Sequence, residues 1–292
     1  MTARVGFSLQ PDTEFLGLLE PVLRDADYFE ITPETTWRRG GDGGWVPNGF
    51  HREFRRLGDE LHTPFVGHAV HGSFGTADPR DRERQAAWQQ RIAADHAVFD
   101  FQWFTDHLGA AVLDQRALTL PIALPMHDAM AQIVRERLVA LQQVVPDVGV
   151  ENSVFYFLLG DWLDEPDFLA RVLAAPRTHL LLDLHNVWTM AQNVGADAQA
   201  WLDRLDCSRV IEIHLSGGER SQPGWLPDGR TLRLDSHDHA VPDEVWALFE
   251  EVLPRCTNLR GVTLERMEGS VAAGDVSQVQ AELRRIREVL RG

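Results

Sequence analysis

The chain has 292 residues, 44% of them apolar, which is enough to bury a sizeable core in one large α/β domain or in two small ones. All 28 basic residues are arginine, and 44 acidic residues give a formal net charge of -16. This balance argues against a nucleic-acid partner, because no basic stripe is available to meet phosphates.

The sequence predicts a cytoplasmic protein without a membrane partner. The first ten residues, MTARVGFSLQ, lead straight into a strand-like run without a signal peptide, and no apolar span reaches membrane length. Cys207 and Cys256 form no CxxC motif and indicate no disulfide framework. We therefore expect both cysteines to be packing residues.

Eight short apolar runs predict eight buried parallel strands. In chain order they cover residues 5–9, 28–32, 65–70, 100–104, 148–150, 180–184, 210–215 and 262–264, of which the fourth is the weakest. Helical patterns cover residues 14–24, 50–61, 79–99, 127–144, 165–174, 197–205 and 276–290. The stretch RRGGDGGWVPNG predicts a glycine-rich loop, and a linker rich in Leu and Pro follows the fourth run.

This alternation of strands and helices predicts a single (β/α)₈ barrel domain, a TIM barrel, over residues 1–292. The alternative is a doubly wound open sheet. That fold normally carries a glycine-rich fingerprint after an early strand, and the pattern GxGxxG does not occur in this chain.

Polar side chains that bind metal ions recur at the ends of the predicted strands, most densely in HLLLDLHN, VIEIHLSGG and LDSHDHAVPD. In a barrel, the carboxyl ends of all strands meet at one mouth, where catalytic groups lie. A carboxylate or imidazole that is partly buried there needs a partner, and a metal ion suits Asp and His together. The residues predicted to share the mouth are His68, His107, Glu151, Asp183, Asn186, His214, Asp235, His237 and Glu265.

Nine nitrogen and oxygen donors are too many for one ion, since Zn²⁺ takes about four ligands and an octahedral ion about six. The set therefore predicts two or three ions bridged by carboxylates. Its donors fit Fe, Mn or Zn and disfavour Cu(I) or an iron–sulfur cluster, and composition does not choose among the three. Taken singly, each residue also has an ordinary structural role: His68 and His107 as core histidines, and Glu151 as part of a helix cap.

The motifs HAVHGSFG, TDHL, ENS, LLDLHNV, EIHLSGG, DSHDHAVPDEVWALFE and LER, in this order, resemble those of the multinuclear non-haem iron-dependent oxidative enzymes (MNIO). The resemblance runs from about Val5 to Glu265. It implies a xylose-isomerase-like barrel with two or three irons of mixed Fe(II) and Fe(III) state and O₂ as co-substrate. It also implies that the substrate is a ribosomally synthesised precursor peptide, modified most often at a cysteine.

Carried over residue by residue, the resemblance implies that the nine mouth residues are iron ligands. Glu34, in ITPETTW, aligns with a glutamate of an early family motif and is expected to line the pocket. Asp106, His185 and His239 are further candidates that would act beside the ligands. This chain departs from the usual family pattern at Ala69, at His185, at 216–218 (SGG) and at Met267, and the nine implied ligands survive these changes.

Other functions remain open from the residues alone. A trinuclear zinc apurinic-site endonuclease has a similar ligand rhythm, but it usually carries His at the position of Asn186 and needs a basic DNA surface. A peptide-binding protein with a dead site would leave buried carboxylates uncompensated. A sugar isomerase would want a catalytic Lys, which this chain lacks, or a His–Asp pair on the sugar. For the oxidase, we expect a Cys-containing precursor peptide as partner, with leader binding by a separate recognition protein or by the barrel's own loops.

Overall fold

Eight parallel strands close into a barrel in the computed structural model, which describes residues 3–41, 43–114 and 116–292. The strands of the described chain are β1 (Arg4–Leu9), β2 (Tyr28–Ile31), β3 (Trp37–Arg39), β4 (Trp45–Pro47), β5 (Phe65–Ala69), β6 (Phe104–His107), β7 (Ala110–Leu113), β8 (Arg116–Ile122), β9 (Val148–Glu151), β10 (Thr178–Asp183), β11 (Val210–Leu215) and β12 (Gly261–Leu264). The barrel order is β1, β2, β5, β6, β9, β10, β11 and β12, and β12 pairs with β1. The predicted (β/α)₈ barrel is confirmed.

The α-helices of the described chain are α1 (Thr13–Leu18), α2 (Glu20–Leu23), α3 (Gly49–Leu61), α4 (Arg82–Phe99), α5 (Asp128–Leu141), α6 (Glu165–Val172), α7 (Leu184–Val194), α8 (Ala198–Arg204), α9 (Asp243–Val252) and α10 (Val276–Val289). Short 3₁₀ helices lie at Pro33–Thr36, Pro79–Asp81, Trp162–Asp164, Cys207–Arg209, Leu253–Arg255 and Ala273–Asp275. The predicted helix over 14–24 is divided into α1 and α2, because Pro21 lacks the N–H group that would continue the helical hydrogen bonds.

The prediction of the fourth strand over 100–104 was wrong. Asp100 ends α4 in the left-handed conformation, with φ of 53°, and the strand β6 begins only at Phe104. The aromatic side chains of Phe101 and Trp103 are buried below the strand's start and gave the apolar signal. The strand itself is the polar segment FTDH, because its end faces the mouth of the barrel.

Two hairpins and two helices were not predicted. The strands β3 and β4 pair antiparallel within the predicted glycine-rich loop, and β7 and β8 pair within the predicted linker. The residues of α9 were recognised only as part of the motif DSHDHAVPDEVWALFE. The helix α7 buries seven of its eleven residues, and three of these, His185, Asn186 and Thr189, are polar, so its apolar residues do not mark the buried face. Residues 1, 2, 42 and 115, which belong to the predicted domain, loop and linker, lie outside the described residues.

The register of the barrel places the predicted mouth residues of neighbouring strands either level with one another or two positions apart, which keeps their side chains on the same side. Asp183 of β10 pairs with His214 of β11, and His107 of β6 pairs with Glu151 of β9. Neighbouring strands lie about 4.8 Å apart. Side chains that leave the same side of these positions therefore converge inside the mouth.

The opposite end of the barrel is closed by a charged cluster around Asp147. Its carboxylate accepts hydrogen bonds from Arg177, His179 and Arg260 at 2.9 to 3.0 Å. Burial raises the pKa of this carboxyl group, but those hydrogen bonds outweigh burial and hold the pKa well below its usual range. The cluster ties together the amino ends of β9, β10 and β12, where interactions of a barrel serve stability.

None of the helices in the described residues combines the length and hydropathy needed to cross a bilayer. Both cysteines are buried, as expected for packing residues, and neither is in a disulfide in the described chain.

Glu165, the first residue of α6, is a buried carboxyl group that does not belong to the predicted mouth. Its Oε2 accepts a hydrogen bond of 3.2 Å from the indole of Trp201, whose ring stacks on Trp162 with centroids 5.8 Å apart. Burial raises the pKa of Glu165 to about 8. An unfolded glutamate titrates near pH ~4.3. Between these values the folded protein keeps a proton that the unfolded chain releases.

We expect this proton to make the free energy of unfolding fall with rising pH. The contribution is complete below the pKa of the unfolded chain and is lost as the pH rises through the folded pKa of about 8. Glu165→Gln removes the titration, so denaturant unfolding should show the variant gaining about 1 kcal/mol or more relative to wild type as the pH rises across this window. The exposed Glu288→Gln is the control and should keep the wild-type slope. An unchanged slope in Glu165→Gln would contradict the expectation.

Candidate metal centre

The structure brings all nine predicted mouth residues together. Glu151 and Asp183 end β9 and β10, and Glu265 directly follows β12. His214 lies near the end of β11, and the long loop after that strand returns to the mouth with Asp235. The remaining members are His68 in β5, His107 at the end of β6, Asn186 in the first turn of α7 and His237 in the long loop.

Ligand-type atoms form three groups in which all members lie within 4.8 Å of one another. The first holds His68, Glu151 and His214, and the second holds Glu30, His214 and Glu265. The third holds Asp183, Asp235 and His237. His214 belongs to two groups, so the first two positions are contiguous.

Several of these atoms lie close together without hydrogen-bond geometry. Oε2 of Glu151 is 3.3 Å from Nε2 of His68 and 3.1 Å from Nε2 of His107, and Oδ1 of Asp235 is 2.6 Å from Nε2 of His237. Bonds of about 2.0–2.2 Å to a shared ion would hold neighbouring ligands roughly 3.0–3.4 Å apart. The two distances from Glu151 fall in this range, and the distance between Asp235 and His237 is shorter.

Seven buried side-chain atoms of this cluster have no hydrogen-bond partner in the described chain. Among the described residues, the unpartnered atoms of the centre are Oε2 of Glu151, Oδ2 of Asp183, Oδ1 of Asn186, Nδ1 of His214, Oδ1 of Asp235, Nε2 of His237 and Oε2 of Glu265. Native proteins rarely leave buried polar atoms unsatisfied, because each costs about 1–3 kcal/mol. A set of metal ions at this position would satisfy all seven.

The start of α7 fixes two of the donors. Asp183 caps the helix, since its Oδ1 accepts a hydrogen bond of 2.6 Å from the backbone N–H of Asn186, and its Oδ2 stays free. The Asn186 amide donates at 3.2 Å to Oε1 of Glu151 and to the backbone carbonyl of Asn152. Its own oxygen is buried without a hydrogen-bond partner among the described residues.

Glu30, in the middle of β2, is a member of the site that the sequence analysis missed. It is 2% exposed, and its Oε2 lies 2.9 Å from Nε2 of His214. Nδ1 of the same imidazole then faces Glu265 at 3.1 Å. A signal existed: Glu30 interrupts the apolar run YFEI, and an acidic residue within a buried strand needs a buried partner.

Electrostatics show how strongly the cluster needs positive charge. Burial, followed by the Asp235 and Glu151 carboxylates, raises the pKa of Asp183 well above its ordinary value. Burial lowers the pKa of His68, but the carboxylate of Glu151 outweighs it and raises that pKa to about 9. Protons thus compensate part of the carboxylate charge, and a cation would take their place.

Comparison with known families identifies the chain. Residues 4–291 match the family described as RiPP precursor modification enzyme MbnB/TglH/ChrH, where RiPP denotes a ribosomally synthesised and post-translationally modified peptide. The chain belongs to the MbnB/TglH/ChrH family. This agrees with the family that the order of its motifs predicted.

Relatives and solved structures agree with this placement. A UPF0276 protein of Pseudomonas aeruginosa is 31% identical over 280 residues, which covers 94% of this chain and 90% of the relative. The xylose isomerase domain protein of Planctomyces limnophilus has a TM-score of 0.58 at 13% identity, and the match covers 100% of this chain and 97% of that protein's chain. Endonuclease IV of Thermus thermophilus has a TM-score of 0.54 at 18% identity, with 99% of both chains covered. At these identities the two structures show the fold alone.

Of the four residues expected to act beside the ligands, His185 contacts the centre of this MbnB/TglH/ChrH protein, and Glu34 contacts Trp88 and His71. His185 is buried, with Nδ1 3.8 Å from Oδ1 of Asp235. The Oε1 atom of Glu34 accepts hydrogen bonds of 2.7 Å from the Trp88 indole and 3.2 Å from the backbone N–H of His71. Their predicted catalytic roles stay predictions.

The other two face away from the centre. Successive side chains of a strand point to opposite sides, and Thr105 contacts His68 on the inner side of β6. The carboxyl group of Asp106 therefore lies on the outer side, against Gly72. Burial, followed by the charge of Glu34, raises the pKa of Asp106 to about 8. The His239 side chain is 59% exposed and pairs with the neighbouring Asp238 at 2.7 Å.

Metal binding by this MbnB/TglH/ChrH protein should strengthen with rising pH. The pKa of His68 is raised to about 9, so below that pH the metal-free protein holds a proton that an ion must displace. We expect the affinity for Fe²⁺ or Zn²⁺ to rise by up to about tenfold per pH unit for each displaced proton between about pH 6 and about pH 8. Competition with a chelator at several pH values measures this, and proton release into weak buffer checks it. An affinity independent of pH would contradict the expectation.

Proposed function

We propose that this MbnB/TglH/ChrH protein holds two or three iron ions in its candidate metal centre and uses O₂ to oxidise a cysteine of a precursor peptide. The observation that carries the proposal is the set of seven buried, unpartnered donor atoms at the barrel mouth of the described chain. Removing one partner of a buried charge costs several kcal/mol. The chain keeps at least four carboxylates there, and bound cations are the simplest compensation.

The donors of the centre are of types that bind iron, manganese or zinc. The donors are imidazole, carboxylate and amide groups, while both cysteines are buried next to the amino ends of β11 and β12. Family membership favours iron over the other two. Bound ferrous iron would supply the electrons that reduce O₂ and an open position for a substrate thiolate.

The chain's own residues orient the ligands and exclude water. The Asn186 amide holds Oε1 of Glu151, which leaves Oε2 facing His68 and His107. Glu30 accepts from Nε2 of His214 and so fixes which nitrogen of that ring faces the cluster. Because these side chains are almost fully buried, the reacting thiol would meet a dry site with preset geometry.

A zinc-dependent nuclease is the competing function. Endonuclease IV shares the fold with this chain. A net charge of -16 disfavours binding to DNA, since phosphate contacts need basic residues. Asn186 also disfavours it, because a neutral amide holds an ion more weakly than the imidazole usual in that enzyme class. The precursor peptide is proposed as the main partner, with its leader bound by the barrel loops or by a separate recognition protein.

The first prediction concerns metal content. We expect protein purified without oxygen to contain two or three iron ions per chain, measured by elemental analysis, and to consume O₂ only with its Cys-containing peptide. Asp183→Ala and His214→Ala should each lose metal and activity together, because each removes a donor from the centre. The matched control is His62→Asn at an exposed position in the left-handed conformation. A content of one zinc ion per chain, or an iron content equal to wild type in both alanine variants, would contradict the proposal.

The second prediction concerns Asn186. We expect Asn186→His to keep its metal but to lose about tenfold or more of the O₂-dependent turnover. The substitution removes the amide that orients Glu151, and the new imidazole would bind its ion more tightly than the amide does. Oxygen uptake and metal content, measured on the same sample, separate the two effects. Asn258→His, at an exposed amide, is the control. Robust cleavage of abasic DNA by wild-type protein, without an oxygen requirement, would favour the nuclease instead.

A further inference from the structure

Arg233 lies in the long loop between β11 and α9, two residues before Asp235. Its backbone N–H donates to Oδ1 of Asn193 at 2.8 Å, and its carbonyl accepts from Nδ2 of the same residue at 3.0 Å. Its guanidinium carbon lies 3.9 Å from the ring centroid of Trp188. One guanidinium nitrogen donates to the carbonyl of Gly218 at 2.7 Å. Backbone and side chain are therefore both held in place.

This half-buried arginine has no carboxylate within ion-pair distance in the described part of the chain. Its Nε is buried without a hydrogen-bond partner. Arg220, whose backbone bridges to that of Arg233, adds a second positive charge. Arg84 is paired with Asp81 and Arg266 with Glu282, whereas Arg91 resembles Arg233 in stacking on a tryptophan with its Nε unpartnered among the described residues.

Carboxylates are plentiful in a chain with 44 acidic and 28 basic residues, yet none pairs with Arg233 in the described part of it. A partly buried charge without a counter-ion costs free energy, so such a position is retained only if something compensates the charge. Guanidinium groups bind carboxylates through two parallel hydrogen bonds, and stacking on an aromatic ring leaves the outer N–H groups free to do so. The charge, the stacking and the free donors all point to an anionic ligand.

Two contacts connect Arg233 to the candidate metal centre. Gly218, which accepts its hydrogen bond, lies against His185: a Cβ atom at Gly218 would be 3.0 Å from Cε1 of that ring. His185 in turn faces Asp235 across 3.8 Å. The Trp188 ring on which Arg233 stacks lies 5.9 Å from the His185 ring. A ligand held by Arg233 would thus be close to a substrate group at the centre.

We propose that Arg233, stacked on Trp188 and flanked by Arg220, is a binding site for a carboxylate of the peptide substrate beside the residue to be modified. The peptide itself rests on the proposed function. Two parts of a peptide carry this chemistry, the carboxyl terminus and the side chain of an Asp or Glu next to the cysteine. Either would fix the direction in which the peptide enters the mouth.

The test uses the metal-loaded protein without oxygen and three short probes with the same central cysteine. These are acetyl-Ala-Cys-Ala amide, which has no carboxylate, acetyl-Ala-Cys-Ala with a free carboxyl terminus, and acetyl-Ala-Cys-Asp amide. Calorimetry gives their dissociation constants. We expect at least one carboxylate probe to bind about tenfold to hundredfold tighter than the neutral probe, as is typical of a charged hydrogen bond. The probe that gains identifies the source of the carboxylate.

Variants locate the interaction. Arg233→Gln should abolish the advantage of the carboxylate probe while its metal content stays at the wild-type value. Arg230→Gln removes a charge from the same loop, where Arg230 is exposed and paired with Asp228, and should keep the advantage. Arg233→Lys should keep only part of it, because lysine lacks the planar fork.

The proposal is overturned if the advantage survives in Arg233→Gln, if all three probes bind wild type equally, or if none binds at millimolar concentration. Binding is measured without turnover. Failure to consume O₂ would therefore count against the proposed function alone, and loss of the carboxylate preference would count against this site alone.

Discussion

Buried negative charge, concentrated at one end of a rigid barrel, is the constraint on which the rest of this structure depends. Four carboxylates that are largely shielded from solvent meet there: Glu151, Asp183, Asp235 and Glu265. Carboxylates in such a setting repel one another strongly. The closed ladder of strands holds them at fixed spacing, so they are not free to move apart. Positive charge has to come from outside the side chains, either as protons or as metal ions.

The polar groups beneath the centre behave in the opposite way. Glu212 is fully buried, yet its carboxylate accepts hydrogen bonds from Tyr28, Trp103 and Thr263 at 2.6 to 2.8 Å. A satisfied network of this kind stiffens the barrel interior and supports the layer above it, where His214 lies. The polar groups below the centre have hydrogen-bond partners, while seven atoms of the centre have none within the described residues. This difference separates structural polar residues from those available to a ligand.

The loops that follow the strands carry exposed apolar side chains. The loops after β9 and β11 expose large apolar side chains, Phe157 at 53% and Trp225 at 61%, at the same end of the barrel as the centre. Exposed apolar groups beside a deep polar site are typical of binding surfaces. With Arg233 in the same region, this end of the molecule offers apolar contacts and one directed charge, which suits a peptide better than a polyanion such as DNA.

The sequence alone determined the barrel and nearly all of its mouth. Buried parallel strands need continuous apolar runs, and polar residues at their ends are costly to bury without a ligand, so the positions from His68 to Glu265 were readable from the pattern. The tertiary structure decided what periodicity does not encode. The fourth strand was misplaced because its mouth end is polar, and α7 was missed because its buried residues include His185, Asn186 and Thr189. Glu30 joined the site only because strands distant in sequence close into a barrel, which brings its carboxylate to His214 across 184 residues of chain.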